Sequence, residues 1–220
     1  MMGTCASSSS ASSTSPPATQ EKLGPCCFLI KNALSMEEQL QLVENIHSQK
    51  QAMQEEMGAL GLSVNDVSFD MGAGDMKPFG ESAPGKAILR AKDFIATKCS
   101  LPDDLKPMKD FQVYCVDARF YGESQVLPYH CDDIKKKNSV VFLFSLGRSA
   151  NFYVHCPEMG GDRTNDGKLF EFRSGDLLFF DATRDAGVYH GIESIGPASS
   201  CPSELSSLKE KRVGLQIRAH

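Results

Sequence analysis

The period of the apolar positions changes once along the chain, near residue 110. Before that point the pattern is helical. Ser35-Met36-Glu37-Glu38 reads as a capping box, in which the Ser and Glu side chains reciprocally satisfy free backbone donors at a helix start. Met36, Leu40, Val43 and Met57 then recur at helical spacing and Gly58 supplies a stop, so a helix is predicted over 36–57. A second is predicted over 86–98, with Ala87, Ile88, Ala91, Phe94 and Ile95 inward and Lys86, Arg90, Lys92 and Lys98 on a solvated face. Phe28-Leu29-Ile30 predicts a first short strand, and the Gly- and Pro-rich stretch 58–84 predicts loops or a hairpin. Beyond residue 110 the chain breaks into short β segments, near 111–121, 139–146, 150–155, 168–172, 176–181, 188–192 and 211–218. Short strands at this spacing imply a sandwich or barrel. Two helices ahead of them imply an α+β fold, with the helices packed on one face of a mostly antiparallel core.

Composition changes this picture little. At 220 residues the chain is long enough for one domain with a substantial core, and 41% hydrophobic and 23% charged content are ordinary for a globular protein. It holds no run of roughly 18 or more apolar residues, so no membrane span is predicted. A net charge of −5 argues against a strong non-specific grip on nucleic acid, and leaves open a local basic patch such as Lys135-Lys136-Lys137. Residues 1–22 are rich in Ser, Thr, Ala and Pro, with no charge before Glu21. They predict a disordered tail, with 23–220 as a single domain. The eight cysteines form no C-x-x-C pair, which argues against a zinc ribbon or a thioredoxin-like motif. Without the basic start and apolar stretch of a signal peptide, a nuclear or cytoplasmic location with reduced thiols is expected.

The candidate chemistry centres on Leu127-Pro128-Tyr129-His130-Cys131-Asp132-Asp133. In extended chain, positions i and i+2 point to the same side, so His130 and Asp132 can reach one point in space. His190 follows far downstream in Val188-Tyr189-His190-Gly191-Ile192. Two imidazoles and a carboxylate can hold non-haem Fe(II) on one face and leave the other positions open. In Arg212-Val213-Gly214-Leu215-Gln216-Ile217-Arg218 the period is two, with Val213, Leu215 and Ile217 on one face and Arg212, Gly214, Gln216 and Arg218 on the other. Two inward guanidiniums are costly unless anions meet them, and a dicarboxylate would supply these; an edge strand with solvent-facing arginines is the alternative. Cys115, Asp117, Arg119 and Tyr121 share a face just ahead of the triad, and the Tyr121 hydroxyl can meet a carboxylate. Ser174-Gly175-Asp176 reads as a turn.

Taken in order, His130-x-Asp132-Asp133, Ser145-Leu146-Gly147, Ser174-Gly175-Asp176, Tyr189-His190-Gly191-Ile192 and Arg212-x5-Arg218 resemble the AlkB-like Fe(II)/2-oxoglutarate dioxygenases. Tyr121 also matches, nine residues before His130. The resemblance covers about residues 110–218. It implies a double-stranded β-helix (jelly roll) core, iron held by His130, Asp132 and His190, and 2-oxoglutarate held by Arg212, Tyr121 and Arg218. By the same resemblance Arg212 meets the distal carboxylate and Arg218 lies nearer the metal. Arg119 stands where the family usually has Asn and would replace that contact with a charge. Gly214 stands where a small polar residue is common, and Ile134 where repair members tend to carry an acid. The implied reaction consumes 2-oxoglutarate and O2, and releases succinate and CO2. On an alkylated DNA or RNA base it is an N-demethylation that releases formaldehyde. The same chemistry on a protein side chain or small molecule, and a non-catalytic module keeping the fold, are the alternatives. Residues 58–84, with Phe69, Met71, Met76 and Phe79, are a candidate lid able to stack on a base. Lys135-Lys136-Lys137 offers either a phosphate contact or a solvated turn. A monomer is expected.

Overall fold

The structure, a computed structural model, describes residues 16–58, 66–69, 81–101, 112–132, 134, 137–157, 160–161 and 166–220. It opens with a hairpin, β1 (Thr19–Gly24) and β2 (Cys27–Lys31). Helix α1 (Met36–Gly58), the short β3 (Asp66–Ser68) and helix α2 (Ala83–Lys98) follow. The rest is β: β4 (Val113–Tyr121), β5 (Leu127–Cys131), β6 (Val140–Gly147), β7 (Ala150–His155), β8 (Lys168–Phe172), β9 (Leu177–Asp181), β10 (Tyr189–Ile195) and β11 (Arg212–Ala219). Seven strands form one sheet in the order β1-β2-β9-β6-β11-β4-β3, and four form a second in the order β5-β10-β7-β8. All of these pairings are antiparallel.

Alternation along the large sheet builds two cores. Phe142, Phe144 and Leu146 of β6, Val213, Leu215 and Ile217 of β11, and Phe179 of β9 point to one side. There they meet Leu42, Val43 and Ile46 of α1 and Ile88, Ala91 and Ile95 of α2. The intervening Val141, Leu178 and Phe180 point to the other side, against Phe152, Val154, Phe172 and Ile192 of the small sheet. The fold is thus an α+β jelly roll with its helices on one face of the large sheet, as the sequence implies.

Both helices start on side-chain caps. The Ser35 backbone N–H donates to Glu38 Oε2 at 2.8 Å, and the Glu38 N–H donates to Ser35 Oγ at 3.3 Å. Ser82 caps α2 by accepting from the Gly85 N–H. The inward face of α1 differs from the expected one. Leu40 is exposed, and the buried residues are Gln39, Leu42, Val43 and Ile46. A helix shows its face to the largest apolar surface it can cover, and Leu42 and Ile46, one turn apart, fix that rotation. The outward basic residues of α2 are a solvated face, with Arg90 tied to Glu38 across the two helices.

The boundary of the expected tail shifts. Thr19–Gly24 is a strand, with Leu23 buried and Glu21 paired with Lys168 of β8. The open edge of β2 gives this polar segment backbone partners, and pairing of that kind is invisible to composition. Residues 1–15 lie outside the described residues. Within the expected lid, Phe69 packs on the helix-side core and its N–H donates to the Val116 carbonyl, so it is part of the scaffold. Met71, Met76 and Phe79 lie outside the described residues, as do Lys135 and Lys136. The connection ahead of β11 folds into short 3-10 turns that bury Leu205 and Leu208. Among the described residues no helix is long and apolar enough to cross a membrane, and no disulfide is formed.

Candidate metal centre

The three expected ligands meet between the two sheets. β5 is the edge of the small sheet and pairs with β10, so that His130 sits directly opposite His190. Their rings lie 4.4 Å apart between centroids. Asp132 follows two residues after His130, just beyond the strand, with one carboxylate oxygen 3.7 Å from His130 Nε2. One ligand atom from each of His130, Asp132 and His190 falls within 4.8 Å of the other two. This is the face of a mononuclear metal site.

A bulge aims the first histidine. Between the register pairs His190–His130 and Ile192–Leu127, β5 carries two residues, Pro128 and Tyr129, opposite the single Gly191. The extra residue brings both Leu127 and His130 to the chamber side. Gly191 is required here: a Cβ would lie 2.6 Å from the Leu127 carbonyl oxygen and from Tyr129 Cδ1. Pro128, which has no N–H to give to a ladder, is tolerated on an edge strand at a bulge.

The second face of each imidazole is occupied by a backbone carbonyl. His130 Nδ1 is 3.0 Å from the Pro128 oxygen, and His190 Nδ1 is 3.4 Å from that of Val188. Both contacts favour the tautomer with Nδ1 protonated and Nε2 free to bind a cation. His190 is buried, with its ring centroid 4.7 Å from Phe180 of the large sheet and 6.2 Å from Phe152 of the small one. Burial, with a smaller contribution from His130, pushes its pKa down to about 4, so it is the neutral ligand a metal needs.

A row of guanidiniums runs away from the triad. Arg119, Arg212 and Arg218 all line the same chamber as His130, Asp132 and His190, together with Tyr121, Gly214 and Gln216. Arg212 and Arg218 stand at opposite ends of β11, about 20 Å apart along the strand. Arg218 is at the metal end, 3.8 Å from the second Asp132 oxygen. Arg212 is at the far end, opposite Tyr121 on β4, and is completely buried. It donates to Ser145 Oγ and lies over the Phe172 ring. Burial lowers its pKa to about 10, still well above neutrality. Among the described residues no carboxylate lies within ion-pair distance of it. Burial raises the pKa of Tyr121, with Arg119 and Arg212 nearby acting against it.

These residues fit an iron and a dicarboxylate. Asp132 Oδ2, Arg212 Nε and Arg218 Nε are buried without a hydrogen-bond partner, and all belong to chamber-lining residues. An orphaned carboxylate oxygen beside two imidazoles suits a divalent cation, and orphaned guanidinium N–H groups suit carboxylates. Every site residue expected from the sequence is therefore brought to one chamber. Sequence reasoning assigned no role to Ser145 or to the bulge at Gly191. A lone serine on the inward side of the otherwise apolar β6 was the available signal for the first; nothing in the residue order marked the second.

A jelly roll enclosing this triad is a mononuclear non-haem metal enzyme of the oxygenase type. The chain belongs to the 2OG-Fe(II) oxygenase superfamily, whose family model matches residues 26–218. Fe(II), 2-oxoglutarate and O2 are accordingly its cofactor and cosubstrates, and His130, Asp132 and His190 are a group able to hold the iron. Among solved structures, its fold is similar to that of OsALKBH1, at a TM-score of 0.59 and 20% identity over 90% of this chain and 100% of that one. It is also similar to the viral collagen prolyl hydroxylase vCPH from Paramecium Bursaria Chlorella virus-1 in complex with 2OG, at 0.51 and 13% over 89% and 96%. By sequence, none of the curated proteins matches.

Proposed function

We propose that this oxygenase oxidatively removes methyl groups from alkylated nucleic-acid bases. The observation that carries the reading is the facial triad set at one end of a guanidinium-lined chamber, in the AlkB-like motif order. Bound there, Fe(II) with O2 and 2-oxoglutarate supplies an oxidative decarboxylation, to succinate and CO2, that hydroxylates a substrate C–H; on an N-methyl group the product releases formaldehyde. The chain's own part is positional. His130 and His190 present Nε2 atoms and Asp132 a carboxylate. Arg212 and Tyr121 hold the distal carboxylate of the cosubstrate, with Arg119 beside them, and Arg218 orients Asp132 at the near end. Phe152, Phe180 and Ile192 exclude water from the metal's inner side.

A cavity of about 620 Å³ lies at the turns that follow β5 and β9, lined by Ile134, Lys137, Arg184 and Val188 among others. Lys137 and Arg184 support this reading as candidate contacts for a phosphate backbone. Hydroxylation of a protein side chain is the second reading. It draws on the acidic net charge, on Ile134, and on Asp181 and Asp185 sharing the cavity wall.

One assay separates the two. The protein is incubated with Fe(II), ascorbate and labelled 2-oxoglutarate, alone, with methylated or unmethylated oligonucleotides, and with a proline-rich peptide. Formaldehyde released in step with succinate only when the methylated oligonucleotide is present is the expected result. Succinate coupled to the peptide, without formaldehyde, would replace it with the second reading. No coupled turnover with either would overturn both.

A further inference from the structure

Two glycines on the strands around the chamber have an evident reason, whereas Gly214, which lines it, lacks one. A Cβ at Gly191 would collide with β5, and Gly147 has a positive φ and stands against the Lys211 carbonyl. Gly214, by contrast, is mid-strand in β11 with ordinary extended backbone. A Cβ there would meet only Leu143 Cδ1 at 3.5 Å and Tyr121 Cε2 at 3.6 Å, both normal contact distances. Neither conformation nor packing asks for glycine. Its absence of a side chain weakens the strand, and a glycine in such a place marks the close approach of another group.

The group beside it is Arg119. The register pairs Arg119 of β4 directly with Gly214, two positions from the pair Tyr121–Arg212. On the far side of Gly214, the register partner is Ser145 of β6, the hydroxyl that already receives Arg212. Directly opposite residues of an antiparallel pair project to the same side, so the row Arg119–Gly214–Ser145 floors the chamber at its Arg212 end. Arg119 and Tyr121 are two residues apart on β4, so they share a face, and both line the chamber. Asp66 of β3 also stands opposite Arg119, but it is exposed to solvent. The chamber residues bring three guanidiniums against the single carboxylate of Asp132, whose second oxygen lies 3.8 Å from Arg218.

We propose that Arg119 and Gly214 work as a matched pair: Arg119 supplies a second guanidinium to the distal carboxylate of the dicarboxylate cosubstrate, and Gly214 is bare to admit it. This rests on the reading that the chamber holds 2-oxoglutarate. The distal carboxylate is then clamped from two strands, β11 through Arg212 and β4 through Arg119, and the pair determines how tightly the acidic tail is selected. A side chain at position 214 would occupy the space over which the guanidinium and carboxylate meet.

The test is a double-mutant cycle on 2-oxoglutarate binding. Calorimetric titration of the Fe(II)-loaded protein under anaerobic conditions gives the Kd for the wild type, Arg119→Gln, Gly214→Val and the double variant, with Arg212→Ala alongside. Melting temperatures confirm that each is folded, and Gly214→Ala stands in if the valine variant is not. Loss of one charge-assisted contact raises Kd roughly tenfold or more in Arg119→Gln. Gly214→Val is expected to do the same, and the double variant to bind no more weakly than the worse single, because both remove one interaction. Arg119→Gln within about twofold of wild type, with Arg212→Ala abolishing binding, would overturn the pair and leave the chamber reading standing. Multiplying effects in the double variant would also overturn it, since Gly214 would then serve the ligand independently of Arg119. Unchanged binding in Arg212→Ala would remove the chamber reading itself.

Discussion

At the scale of single residues, the site holds polar atoms that the protein leaves unsatisfied. Asp132 has a buried carboxylate oxygen without a hydrogen-bond partner, and Arg212 a buried guanidinium nitrogen in the same condition. Each implies a measurable separation of function from stability. Asp132→Ala is expected to lower Fe(II) affinity by more than about a hundredfold while leaving a cooperative thermal transition, because a metal ligand is lost and the core is untouched. Retained Fe(II) affinity in a metal titration would exclude Asp132 as a ligand. Arg212→Met is expected to leave the ligand-free melting temperature unchanged or raised, since an apolar side chain of similar length replaces a buried cation that lacks a carboxylate. The same change is expected to weaken 2-oxoglutarate binding by roughly a hundredfold. A large loss of ligand-free stability would mean instead that Ser145 and Phe172 satisfy the guanidinium by themselves. The residue types of this site were legible in the sequence: a His-x-Asp pair, a later histidine and two arginines on a period-two strand cannot all be accounted for by packing. Their partners were less so. Ser145 became part of the site only because β6 lies beside β11 and places its hydroxyl under Arg212.

At the scale of elements, the decisive feature is the irregular pairing of β5 with β10. A regular ladder would keep Leu127 and His130 on opposite sides, because they are three positions apart. The bulge at Pro128–Tyr129 reverses that for His130, and Gly191 makes the bulge possible. Gly191→Val is therefore expected to reduce Fe(II) affinity by at least about tenfold, with a stability loss of about 1–3 kcal/mol from the displaced strand. Wild-type metal affinity in that variant would show that the bulge does not aim His130. The strand spacing, the two helices and the capping box at Ser35 were readable from local pattern, since each depends on neighbours in sequence. The face of α1 was not, because Leu40 and Leu42 are equally apolar and the sheet beneath selects between them. Nor was β1, whose polar residues are held by the edge of β2.

At the scale of the whole molecule, two sheets must be held at the separation that lets β11 and β5 face one metal. The inter-sheet core of Val141, Leu178, Phe180, Phe152 and Phe172 does most of this. The β1 strand adds to it, since Leu23 joins that core and Glu21 pairs with Lys168 of the small sheet. Removing residues up to Gly24 is expected to lower unfolding free energy by about 2–3 kcal/mol in urea titration, chiefly through the burial of Leu23 and the exposed β2 edge. Fe(II) affinity of the folded protein is expected to stay near that of the full chain, because β1 carries none of the ligands. A concurrent loss of metal affinity would show that the hairpin shapes the site as well as supporting it.

The sequence by itself determined the fold class, the candidate metal ligands and the cationic strand, because alternation and residue chemistry are local properties. Only the tertiary structure decided which side chains share a chamber. It set Arg119 across from Gly214, Ser145 beneath Arg212, and His130 against His190, each pair joined by strand register between segments far apart in the chain. Register is fixed by the packing of whole sheets, and no window along the sequence contains it.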